Sequence, residues 1–351
     1  MTALRDILHS QIAATGPITV ADFMETCLLH PVHGYYTTHT VFGAGGDFVT
    51  APEITPMFGE MLSLSLADAW VRQGKPQNAI IAELGPGRGV LMQAFLRAAE
   101  VVDGFAQLPL HMVEASPQLR DMQAQLHPDV THHANVQSLP DAPIFLVANE
   151  FFDALPIRQF QRGETGWHER MVGASDGALT MGLGPDTAFD VLAHRMDDTK
   201  PGDIVEYCPA LPVVLGDIAG RIRDNGGAAL FIDYGDWRSQ GDTLQAVAGH
   251  TQVPPLHAPG QTDLTAHVDF EAIYNAATTT TVSRLVTQGV FLERLGITAR
   301  AQALAKNLAG DALENHIAAH RRLLHPDEMG GVFKAIGLGP APDMLPAGVT
   351  T

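Results

Sequence analysis

The sequence predicts an α/β fold built on a mostly parallel sheet with helices on both faces. Three observations lead there. Residues 79–84 form a short apolar run that suits a strand buried on both faces. Gly85, Gly87 and Gly89 follow at once, and Val90, Leu91, Phe95 and Leu96 then recur at helical spacing. From residue 79 onward, strand and helix signals alternate, which implies βαβ crossovers.

The chain of 351 residues is long enough to bury a large core, as one dominant domain with insertions or a cap. It is 46% hydrophobic and 17% charged, a globular composition. A formal net charge of -18 argues against nucleic acid, whose phosphates need basic surfaces, and suits a basic partner or simply solubility. Two cysteines, Cys27 and Cys208, are too few for a disulfide framework or a four-thiolate zinc site. No stretch of 18 apolar residues is present, so no membrane span is expected. The first ten residues lack a secretory apolar region and do not suit a transit peptide, so a cytoplasmic location is expected.

Residues 1–78 read as a helical N-terminal cap region, with residues 3–14 and 57–73 as its clearest amphipathic stretches. Between them, residues 43–48 are too rich in glycine for helix or strand, and are either a lid or a plain surface loop. Residues 79–351 read as the sheet domain. Its second strand is 110–115, followed by a helix near 117–126, a weak strand near 130–133 and a strong one at 143–148. Residues 158–184 alternate polar and apolar around Ser175, Asp176 and Gly177, an inserted hairpin. A helix over 211–224 ends at Asn225-Gly226-Gly227 and leads to the strand 228–234. Residues 236–265, rich in Gly, Pro, His and Gln, read as an irregular insertion. Open sheets bind ligands beyond the carboxyl ends of their strands, where Glu83, Glu114, Asn149, Glu150, Asp233 and Tyr234 all fall.

The glycine spacing separates two nucleotide sites. A dinucleotide fingerprint is G-x-G-x-x-G, whereas residues 83–89 read E-x-G-x-G-x-G. That pattern resembles the first motif of class I S-adenosylmethionine-dependent methyltransferases, which are Rossmann-like. The resemblance implies S-adenosyl-L-methionine as cofactor, with Glu83 near its methionine amino group, Gly85, Gly87 and Gly89 as the floor, and Glu114 on the ribose. Ribose binding by a carboxylate is shared with NAD enzymes. Asn149 is grouped with the cofactor residues, and Asn135 is either the adenine contact of this class or a turn residue.

Longer blocks narrow the resemblance. Residues 46–54 (GDFVTAPEI), 149–156 (NEFFDALP), 206–209 (EYCP), 232–235 (IDYG), 263–270 (DLTAHVDF) and 324–330 (LHPDEMG) are similar to the MidA-type methyltransferases, a family with a mitochondrial complex I assembly factor among its members. The match runs from about residue 16 to 336 in the expected order, with Val90 standing where many relatives carry threonine. The resemblance implies methylation of an arginine in the 49-kDa subunit of respiratory complex I, or the NuoD-type subunit in bacteria.

Arginine is a difficult nucleophile, because its guanidinium stays protonated with a pKa above about 12. Carboxylates must orient it. Glu150, at the end of the fourth strand, is the first catalytic candidate and Glu206 the second. Asp153 either accepts the leaving proton or caps a turn. Two other functions remain open: a non-catalytic S-adenosylmethionine-binding assembly chaperone, and an NAD-dependent oxidoreductase that the glycine spacing disfavours. Gly173-Ala174-Ser175-Asp176-Gly177 matches G-x-S-x-G but lacks the following helix of a hydrolase elbow. His316 and His320 stand at i and i+4 without H-E-x-x-H or a third ligand, so no metal is expected.

Overall fold

A computed structural model describes residues 3–38, 50–249 and 251–350. The glycine-rich stretch 43–48 lies outside the described residues. The chain divides into two compact units, each assembled from three segments. One comprises residues 49–152, 212–237 and 270–351; the other comprises 1–48, 153–211 and 238–269.

The first unit holds the sheet. Its principal strands are β1 (Ile80–Leu84), β2 (Leu110–Val113), β3 (Thr131–His133), β4 (Ile144–Asn149), β5 (Gly227–Asp236) and β6 (Phe333–Gly339). They lie in the order β6-β5-β4-β1-β2-β3. The first five are parallel and β6 runs antiparallel beside β5. Every residue of β1 and β4 is buried, as expected for central strands covered on both faces. The chain moves outward from β1 through β2 to β3, then returns to the other side of β1 as β4. This reversal is a topological switch point, and the carboxyl ends of β1 and β4 flank the crevice it opens.

Helix Val90–Ala99 leaves the β1 turn and buries Leu91, Met92, Ala94, Phe95 and Ala99, a stripe at three- and four-residue spacing. It packs beside helix Met57–Arg72, and Phe105 sits among Trp70, Phe95 and Phe145 with ring centroids 5.5, 6.1 and 5.9 Å away. Helix Met57–Arg72 thus belongs with the sheet and not with the N-terminal helices, so the chain does not divide at residue 78. Periodicity reports that a helix has an apolar face; it does not report which distant segment covers that face.

The second unit is an antiparallel sheet capped by helices. Arg158–Arg162 lies between Trp167–Ser175 and Ile204–Tyr207 and pairs with both, and Ile18–Thr19 and Ala178–Thr187 pair with Trp167–Ser175. The expected hairpin is present. Its turn is the two residues Asp176 and Gly177, both at positive φ (51° and 76°), between the paired Ser175 and Ala178. Helix Ala3–Thr15 buries Leu4, Leu8 and Ile12; helix Val20–Leu29 starts at a capping box between Thr19 and Asp22 and buries Phe23, Met24 and Cys27. Residues 236–265 are less irregular than expected. They contain Gln245–Ala248, Thr251–Val253 and Asp263–Thr265, which form a small antiparallel sheet of strands too short for alternation to reveal.

Candidate functional site

The turn after β1 is shaped by alternating left-handed glycines. Gly85, Gly87 and Gly89 have φ of 59°, 53° and 79°, a region other residues enter at a cost. A Cβ on Gly85 would also stand 2.8 Å from Cδ2 of Phe151. The turn is gripped from outside by helix Pro117–Leu126 and the residue after it. Nε2 of Gln123 donates to the Gly87 carbonyl at 2.6 Å, and Nε2 of His127 meets the Gly89 carbonyl at 2.9 Å. With these carbonyls held, the turn leads directly into helix Val90–Ala99, whose first N–H groups favour an electron-rich ligand.

Glu83 lies one residue before the end of β1, in register with Met112 of β2 and Val147 of β4. It is 3% exposed, and its Oε2 is buried without a hydrogen-bond partner among the described residues. Burial, and then the charge of Glu114, push its carboxyl up to about 8. A buried carboxyl oxygen with no donor requires one, and an ammonium group supplies it. Glu114 follows β2. Its Oε1 accepts from the Ser116 N–H at 2.8 Å and its Oε2 from Nε2 of Gln123 at 3.3 Å. Burial raises its carboxyl above the usual range against these bonds.

Gln123 therefore bridges the glycine turn and the Glu114 carboxylate, and its own Oε1 meets Nε2 of His132 at 2.9 Å. Sequence reasoning missed this residue. It sits in a polar-looking helix yet is fully buried, and only its neighbours in space reveal its role.

Glu150 follows the last residue of β4 and has φ of 53°. Such a conformation is uncommon outside glycine and costs of the order of 1 kcal/mol or more, so surrounding bonds must hold it. They do. The Glu150 N–H donates to the Ile232 carbonyl at 2.9 Å; its Oε1 accepts from Nδ2 of Asn149 at 3.0 Å and from the Ala51 N–H at 3.3 Å. Asp233, fully buried on β5, accepts from the N–H groups of Phe151 and Phe152 at 3.2 and 2.9 Å. The short helix that begins at Ala51 is tied to the glycine turn as well, through an ion pair of 2.9 Å between Glu53 and Arg88.

Of the expected site residues, Glu83, Gly85, Gly87, Gly89, Glu114, Asn149 and Glu150 thus occupy the carboxyl ends of neighbouring strands in one unit. Three others stand differently. Asn135 caps the turn Val136–Ser138, its Oδ1 accepting from the Ser138 N–H at 3.2 Å, a bond that leaves this oxygen a second lone pair. Glu206 belongs to the second unit, where its oxygens accept from Nε2 of Gln159 at 2.7 Å, the Thr243 N–H at 2.9 Å and the Thr243 hydroxyl. Those bonds make it a brace for the loop at Thr243. Asp153, also in that unit, is buried, and its charge acts with that of Asp263 on the Tyr36 phenol, whose pKa burial already raises. His316 and His320 meet the Ala301 carbonyl and the Thr298 hydroxyl at 3.0 and 2.9 Å. No described helix is long and apolar enough to cross a membrane.

The parallel sheet, its switch point and the glycine turn with a buried acid before it define an S-adenosyl-L-methionine-dependent methyltransferase. Comparison with known proteins agrees. Residues 61–288 match the family model described as "Putative S-adenosyl-L-methionine-dependent methyltransferase". The chain is 35% identical to protein arginine methyltransferase NDUFAF7, mitochondrial, of Xenopus tropicalis, covering 96% of the chain and 86% of that protein. The human protein of the same name is 32% identical, with 96% and 83% covered. A crystal structure of a Burkholderia thailandensis protein bound to S-adenosyl-homocysteine superposes with a TM-score of 0.83 at 30% identity, covering 96% of this chain and 92% of that one. The chain belongs to the MidA/NDUFAF7-type family of methyltransferases. The expected cytoplasmic location is overturned by these relatives, which are named as mitochondrial. Composition and core packing do not encode a compartment.

Proposed function

We propose that the chain methylates an arginine side chain of a protein, and that its target is the 49-kDa or NuoD-type subunit of respiratory complex I. The names of the relatives support arginine, and the family resemblance of the longer blocks supports the subunit. One observation carries the catalytic assignment: Glu150 is held in a left-handed conformation at the end of β4, across the switch point from the glycine turn.

S-adenosyl-L-methionine supplies a methyl group on a sulfonium, which is displaced with its bonding pair left on sulfur. In this assignment Glu83 holds the cofactor's ammonium, the turn from Gly85 to Gly89 gives it room, and Glu114 binds the ribose. Asn149 fixes the Glu150 carboxylate by a donated hydrogen bond. Glu150 then accepts an N–H of the incoming guanidinium, aligns the attacking nitrogen, offsets the positive charge, and takes up the proton that this nitrogen releases as it gains the methyl group. Glu206, held by Gln159 and Thr243, serves to shape the other unit.

The test is Glu150→Gln, which keeps shape and removes charge. Methyl transfer to the isolated subunit should fall by about 100-fold or more, with S-adenosylhomocysteine affinity within a few-fold of wild type. Full activity of Glu150→Gln in methylation or in complex I assembly would reject the catalytic role. Persistence of the methylarginine in mass spectra of the subunit from cells lacking the gene would reject the target.

A further inference from the structure

The carboxyl edge of the main sheet carries a feature that cofactor binding does not use. Trp237 follows the last residue of β5, and its ring meets that of Tyr274 edge-on, with centroids 5.6 Å apart and planes at 60°. Tyr274 lies on helix Phe270–Ala276, which is tied to the strand exit by the Glu271 N–H donating to the Trp237 carbonyl at 2.6 Å. Both rings remain open to solvent, Trp237 at 38% and Tyr274 at 39% exposure. At that exposure part of each ring is open to a ligand. Asp236, also exposed, stands beside them and accepts the Trp237 N–H at 2.7 Å. Nearby Lys334 donates to the carbonyls of Gly235, Gly331 and Val332, and its charge also interacts with that of Asp236.

We propose that Trp237, Tyr274 and Asp236 form a docking platform for a second basic residue of the polypeptide whose arginine is methylated, so the platform rests on the function proposed above. A guanidinium stacks on an aromatic face and donates to a carboxylate at its rim, and a lysine ammonium does both less well. The net charge of -18 favours a basic partner in general, and this face offers the means of holding one. The distance also suits a peptide. Glu150 is bonded to Ile232, and Trp237 lies five residues on, just past the end of that strand, so at about 3.3 Å per residue roughly 17 Å separates the two places. An extended peptide covers that span in about five residues. The platform therefore reads a basic residue about five positions from the target arginine.

The experiment measures both binding and turnover of a labelled peptide with a central arginine and a second arginine about five positions away, on either side. Trp237→Leu and Asp236→Asn should each raise its Kd and KM by about tenfold, with kcat within about twofold and S-adenosylhomocysteine affinity unchanged. Trp237→Phe, which keeps a π face, should restore most of the affinity. Replacing the second arginine by alanine should weaken binding to wild type and leave Trp237→Leu with no further loss. Unchanged peptide affinity in Trp237→Leu overturns the platform, as does a dimer of the wild-type chain that Trp237→Leu dissociates without altering KM. Peptide bound at the platform by a wild-type enzyme that transfers no methyl group overturns the proposed function instead.

Discussion

The amide of Gln123 donates to the Gly87 carbonyl across 2.6 Å, so a buried side chain from one helix sets the shape of a turn 36 residues earlier in the chain. Its second bond, to Glu114, places the turn and that carboxylate under one control. Gln123→Ala removes both and strands a carbonyl. S-adenosylhomocysteine affinity should drop by about tenfold or more by titration calorimetry, while kcat at saturating cofactor falls much less. Equal loss in both would place Gln123 in the chemical step.

Glu83 sets stability against binding. Its carboxyl is pushed from an ordinary 4.5 up to about 8 in the folded chain, so folding favours the protonated form. The stabilisation this gives is complete below about pH 4.5 and is lost as pH rises towards 8. Glu83→Gln is neutral throughout, so its advantage over wild type in urea unfolding should grow between those values and then level off. An advantage independent of pH would remove the carboxyl from the explanation.

The same carboxyl should report the arrival of the cofactor. An ammonium beside Glu83 favours the ionised form, so binding near pH 7 should release a proton. Calorimetry in buffers of different ionisation enthalpy reads that proton directly, and Glu83→Gln should abolish the release.

His111 gives the opposite slope. Burial first, and then His133, lower its pKa to about 4, and its Nδ1 lies 2.8 Å from Nε2 of His133. The folded chain prefers the neutral ring, so stability is full above pH 6.5 and is lost as pH falls towards 4. His111→Gln should flatten the fall in Tm between pH 7 and 5 relative to wild type.

Phe105 is fully buried among three aromatic rings. Phe105→Ala should cost about 3–5 kcal/mol in chemical denaturation.

The outline of the sheet unit was legible because β1 and β4 are buried on both faces and therefore read as unbroken apolar runs before a glycine turn or an acid. Strand β6 was not, since Gly337 and Gly339 break its apolar pattern. The acids at the strand ends were legible as acids, not as partners. Glu206 and Glu150 both stand near the ends of strands, yet one is braced by Gln159 and Thr243 and the other is held in a left-handed turn. Nothing local distinguishes them, because the bonds that do so come from 37 to 99 residues away: Thr243 and Gln159 to Glu206, Ala51 to Glu150. Asp233 was visible at its strand end, and its grip on the Phe151 and Phe152 amides was not.

Glycine would adopt the twisted backbone at position 150 at ease, where glutamate does so under tension. On the catalytic assignment proposed above, selection for heat resistance alone would favour relief of this backbone at the expense of activity. Libraries built to harden this scaffold should keep that codon fixed.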